Sequence, residues 1–109
     1  MTQRFSSHAR MVMNNHQWQI SPVVRLELQY LYQLGRLKSD ADTVISELSA
    51  SKGLMICDKP FNIVIAHALP LTWTRDPFDR IIVAQASIDD NILISSDATI
   101  QANYAFTEW

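Results

Sequence analysis

Glu27, Asp79 and Asp97 are the residues with which this chain could do chemistry. Asp76 and Asp79 open an apolar helical stretch, and the short run Ile92–Ile94 leads through two serines to Asp97. In a parallel α/β sheet, ligands gather at the carboxyl ends of strands and the amino ends of helices. Carboxylates set there could hold a hard cation. Clusters of this kind hold Mg²⁺ or Mn²⁺ at the centre of sites that cleave phosphodiesters.

Each acid also has a plainer explanation. Glu27 lies mid-helix by pattern, with Val23, Val24, Tyr30 and Leu31 on its own face. A carboxylate there costs stability unless it is paired or metal-bound, and the plain reading is a pair with Arg25 or another basic residue at the helix edge. Asp76 precedes Pro77 and suits an N-cap. Asp79 stands three residues later, in the capping-box position, where the helix dipole also favours negative charge. Asp97 could cap the next short helix. Caps on separate elements have no reason to meet, so convergence of the three would favour a site.

Arg75 and Arg80 flank the acidic pair. They could bind RNA phosphates or pair with Asp76 and Asp79. His8, His16 and His67 lack metal-ligand spacing, and no glycine-rich phosphate loop is present. Ser95 and Ser96 could donate hydrogen bonds beside Asp97, but no nucleophilic serine arrangement can be argued. Trp18, Trp73 and Trp109 read as packing residues.

The elements that would position these residues alternate. Residues 6–15 read as a helix end with an Asn-rich stop, and Trp18–Ile20 as a short strand. Pro22 opens a helix that runs to Leu34, where Gly35 stops it. Its apolar positions are Val23, Leu26, Tyr30, Leu31 and Leu34. Ser39 or Asp40 caps the next helix, which runs to about Ser51 with Val44, Ile45 and Leu48 inward. Leu54–Cys57 is of strand type, and Phe61 to about Leu69 is helical. The Asp76–Pro77 helix is apolar on most sides and so largely buried. Asp89–Asn91 is a turn, and Ile92–Ile94 suits a central parallel strand. A short helix from Asp97 and a last strand within Tyr104–Trp109 complete the pattern. Strands alternating with helices predict an α/β fold with a parallel sheet flanked by helices.

With 109 residues, a single domain spanning 1–109 is expected. Two glycines and four prolines disfavour a turn-rich all-β fold. The formal charge of −2 leaves no basic footprint for nucleic acid on the whole chain, although a metal would reverse the local sign at an acidic site. Cys57 is the only cysteine, so no internal disulfide can form and a reducing compartment fits. No signal-peptide pattern is visible, and the apolar run Ile63–Leu71 is interrupted by His67 and far too short to span a membrane. The expectation is a soluble, cytoplasmic protein without a membrane partner.

Five segments together resemble PIN-domain proteins, and among them the VapC-like toxins of bacterial toxin–antitoxin pairs. They are Ile20–Leu28, Leu34–Leu37, Ala68–Leu71, Arg75–Ala86 (RDPFDRIIVAQA) and Leu93–Asp97. The resemblance runs from about Ser6 to Trp109. It implies a PIN-like parallel sheet flanked by helices and a Mg²⁺- or Mn²⁺-dependent endoribonuclease. By position, the family's helical Glu corresponds to Glu27, its third acid to Asp79 and its fourth to Asp97. Asp76 belongs to the subgroup motif and is a further candidate ligand. The family's first acid, which closes an N-terminal strand, has no counterpart here, so that strand is expected to be missing. Its loss would leave apolar edges and unpaired backbone groups.

The resemblance also implies an RNA substrate, a cognate antitoxin covering the acidic site and a homodimer. The alternative it leaves open is a catalytically inactive, truncated remnant that only binds an antitoxin or a sister chain. A third reading is a plain α/β domain whose acids are caps.

Overall fold

Helix boundaries in this chain follow its capping residues. A computed structural model describes residues 6–14 and 16–109. Helix α1 spans Ser7–Asn14, β1 Gln19–Ile20, α2 Pro22–Gln33, α3 Ala41–Lys52 and β2 Met55–Ile56. Then follow α4 at Phe61–Ala68, α5 at Pro77–Ser87, β3 at Leu93–Ile94, α6 at Ala98–Asn103 and β4 at Thr107–Glu108. The architecture is mixed α/β with helix predominating. Asn15, part of the expected Asn-rich stop, lies outside the described residues. The backbone divides into two compact units, one of residues Gln17–Asp58 and one joining the segment up to His16 with Lys59–Trp109.

In the unit Gln17–Asp58, Ser21 caps α2 by accepting a hydrogen bond from the Val23 amide, and Pro22 takes the first turn, where no amide is needed. Gly35 ends α2 at φ 77°, and the Gly35 and Arg36 amides donate to the carbonyls of Tyr32 and Leu31. This is a glycine-closed helix end in which two otherwise orphaned carbonyls are satisfied. Asp40 caps α3 through the Thr43 amide, and the Gln29 side-chain oxygen accepts from the Ala41 amide. Gly53 closes α3 at φ 69°. Leu28, Ala41, Leu54 and Cys57 are buried here. The face of α2 expected to be apolar is split. Val23 and Leu31 are half-buried, whereas Leu26, Tyr30 and Leu34 are 61%, 56% and 50% exposed. Leu28, outside that expected set, is the residue α2 buries.

In the second unit, α4 and α5 pack through Val64, Ala68 and Ala84, with Leu71, Ile81 and Ile88 around them. Two alanines at the crossing leave little side-chain bulk between the helices. A second cluster joins Val83 of α5 to Ile100 and Tyr104, with Leu71, Trp73, Ala86 and Leu93 against it. α5 is thus largely buried, as expected. Lys59 closes its C-terminal end by donating from Nζ to the Gln85 carbonyl at 2.8 Å, with Asp89 at 3.2 Å. The Tyr104 hydroxyl donates to the Asn91 carbonyl and pins the turn after α5. Burial, and next the charge of Asp90, push the Tyr104 phenol up, so it stays protonated and able to donate.

The strands correct one expectation. They form two separate parallel pairs, β1 with β2 and β3 with β4, rather than one sheet. The run at Ile92–Ile94 was expected to be central, yet among the described strands β3 pairs with β4 alone. Its residues Leu93 and Ile94 are half-buried and Ile92 is exposed. A continuous apolar run signals burial, but burial against helices satisfies it as well as burial within a wide sheet.

Candidate functional site

Asp97 sits at the carboxyl end of a parallel strand. Leu93 and Ser95 donate from their amides to the carbonyls of Phe106 and Glu108, which fixes β3 against β4. The chain then turns through Ser95, whose hydroxyl accepts from the Asp97 amide at 3.1 Å. Asp97 caps α6, its Oδ1 accepting from the Ile100 amide at 3.0 Å. Gln101 donates to the Ser95 carbonyl and braces the same turn.

Asp76 is the N-cap of α5, its Oδ1 accepting from the Phe78 amide at 2.9 Å. Its own amide donates to the Thr74 hydroxyl. Asp79 is half-buried in the first turn of α5. Val83, one turn further along α5, and Ile100, one turn beyond Asp97, belong to the same core cluster. Asp79 and Asp97 thus each stand about one helical turn in sequence from a residue of that cluster.

Glu27 lies on α2, in the other unit. It is half-buried. Neither Arg25 nor another described basic residue pairs with it. Arg25 donates from Nε and Nη2 to the two carboxylate oxygens of Asp42, at 2.7 and 2.9 Å. Among the described residues, Glu27 has no hydrogen-bonding or ionic partner. The Arg25 pair holds the Asp42 carboxyl below the usual carboxylate range, through its hydrogen bonds first and its charge as well.

Among the described residues, no group of three His, Cys, Asp or Glu side chains is gathered closely enough to hold a metal ion. Asp79 and Asp97 belong to one unit and Glu27 to the other.

No family model matches the chain, and no characterised protein or solved structure is recognisably similar to it.

The two arginines of the motif differ. Arg75 is exposed on the loop before α5. Arg80 is half-buried and donates from Nε to the Leu71 carbonyl at 2.7 Å and from Nη2 to the Leu69 carbonyl at 3.2 Å. His67 is exposed on α4, and His8 contacts Glu108 at 2.7 Å. Asp42 and Lys59, which hold Arg25 and the end of α5, were not legible as partners. Their contacts join positions 17 and 26 residues apart, and no local pattern marks such pairs. No helix among the described residues is long and apolar enough to cross a membrane.

Proposed function

We propose that this chain is a PIN-like, divalent-metal-dependent endoribonuclease of the toxin type. The observation that carries the reading is Glu27, a half-buried carboxylate left unpaired because Arg25 is committed to Asp42. The Glu27 carboxylate oxygens are thus available to a cation. The meeting of Val83 and Ile100, each one turn from one of the two aspartates, in one cluster adds support, as does the parallel pairing of the short strands.

The donor set is all carboxylate oxygen, which suits Mg²⁺ or Mn²⁺. The family resemblance names Glu27, Asp79 and Asp97 as candidate ligands, with Asp76 as a further one. Such an ion supplies a water of lowered pKa and charge stabilisation at the phosphoryl group. Asp97 caps through Oδ1, so the capping role and metal binding through the other oxygen are compatible. The exposed Arg75 offers a cation to an RNA phosphate. No covalent nucleophile is needed.

The test is cleavage of a defined single-stranded RNA by the purified chain, with Mg²⁺ or Mn²⁺ and with chelator, beside Asp79→Asn. Metal-dependent cleavage that disappears in Asp79→Asn is the expected result. A folded chain that cleaves nothing under any of these conditions would overturn the reading.

The second reading is a non-catalytic binding module for an antitoxin or a sister chain. What favours it is the exposed stripe Leu26, Tyr30 and Leu34, spaced four residues apart along one side of α2. It predicts self-association or partner capture lost in Leu26→Ser/Tyr30→Ser, measured by sedimentation, with no metal-dependent cleavage.

A further inference from the structure

Arg75 and Arg80 share a motif but not an environment. Arg80 lies in the first turns of α5 and reaches back across the loop that joins α4 to it. Its guanidinium donates to the carbonyls of Leu69 and Leu71, just past the C-terminal end of α4. The Leu69 carbonyl, at the C-cap, is left over by the helix ladder and lies at the negative end of its dipole, and the Leu71 carbonyl belongs to the loop beyond. One planar cation that spans the two satisfies both together, which a lysine ammonium on its flexible stem does less well.

The same loop is held at two further points. Leu71 packs against both core clusters, and Trp73 against the one that contains Val83. The Thr74 hydroxyl accepts the Asp76 amide, and Asp76 in turn caps α5. Arg75 is exposed on this braced segment, immediately before the cap and one turn before Asp79.

We propose a division of labour that rests on the ribonuclease reading: Arg80 is a positioning residue that clamps the 69–76 loop, and Arg75 on that loop contacts the RNA phosphate. Arg80 does not touch the substrate. The clamp sets where the Arg75 cation stands relative to the acidic start of α5.

Two measurements on the full chain separate this from a direct role for both arginines. The first is thermal unfolding. Arg80→Gln is expected to lower Tm by several degrees and Arg80→Lys to restore only part of it, whereas Arg75→Gln leaves Tm unchanged. The second is binding of a fluorescent single-stranded RNA in chelator, followed against salt. Each lost phosphate contact reduces the log–log salt slope by about 0.7 on a single strand. Arg75→Gln is expected to show that reduction. Arg80→Gln is expected to weaken binding several-fold with the slope retained, because the number of contacts is the same and only their placement suffers.

An unchanged Tm in Arg80→Gln, or a slope reduction equal to that of Arg75→Gln, would overturn the division of labour. Wild-type chain that binds no RNA would instead overturn the ribonuclease reading and with it the role of Arg75.

Discussion

Arg25 holds Asp42 through two parallel hydrogen bonds, and this pair joins α2 to α3 across 17 residues of sequence. Both partners are more than half exposed, so the geometry matters more than the net stabilisation. Its consequence is chemical: the nearest cation to Glu27 in sequence is taken.

Glu27→Gln is therefore expected to leave stability unchanged, since no described side-chain partner is lost. Cleavage of RNA in Mg²⁺ should fall by two orders of magnitude or more, on the order expected for loss of a metal-binding group. Parallel denaturant titrations and cleavage assays check this. A marked loss of stability would return Glu27 to a structural role.

Asp97 offers a cleaner separation of capping from metal binding. Asn caps helices about as well as Asp, whereas Ala does not. Asp97→Asn should keep the hydrogen bond to the Ile100 amide and so keep its stability, while losing cleavage. Asp97→Ala should lose cleavage and about 1 kcal/mol of stability besides. Equal activity in wild type and Asp97→Asn, measured on the same RNA, would leave only the cap.

Acid should loosen the α2–α3 pair. The carboxyls of Asp42 and Asp40 are both held below the ordinary value of 3.8, Asp42 by Arg25 and Asp40 by the Thr43 amide it caps. A carboxyl depressed in the folded state contributes stability above its unfolded pKa and loses it as pH falls through the folded one. The destabilisation caused by Asp42→Asn should thus be full at neutral pH and shrink progressively as pH falls below 3.8. Urea unfolding of both proteins across that pH range measures it.

Gly53 closes α3 with φ 69° and open space where a Cβ would sit. Gly53→Ala should therefore cost about 1–2 kcal/mol from backbone strain alone, and Gly53→Asn less, because Asn tolerates the left-handed region. Thermal unfolding of the two variants tests the order. Equal Tm values for Ala and Gly would show that the turn relaxes.

Val64 and Val83 are the largest fully buried side chains, at 1% and 2% exposure, one in each core cluster of the second unit. Truncating either to Ala should cost about 2 kcal/mol through lost burial and an unfilled cavity. Calorimetry on Val83→Ala has a second use. A change there that also lowers cleavage would tie the Asp79 and Asp97 turns to the packing beneath them.

Much of this fold was legible locally. Pro22 and Pro77 in first turns, Asp40, Asp76 and Asp97 as caps, and Gly35 and Gly53 at helix ends appear where the residue types require them. Each depends on hydrogen bonds or φ preferences within about four residues, so the chain states them without knowing its fold. The apolar face of α2 was less legible. Its periodicity is real, but which part of a broad stripe is covered depends on what packs against it, and Leu26, Tyr30 and Leu34 remain exposed.

The sequence by itself determined where helices and strands begin and end, and which acids stand at their ends, because those are short-range interactions. Only the tertiary structure decided that the strands pair as β1–β2 and β3–β4, that Arg25 serves Asp42 rather than Glu27, and that Arg80 clamps Leu69 and Leu71. The physical reason is that strand register and side-chain partners are chosen among groups distant in sequence. Packing, not local preference, brings one of several chemically equal candidates within hydrogen-bonding reach.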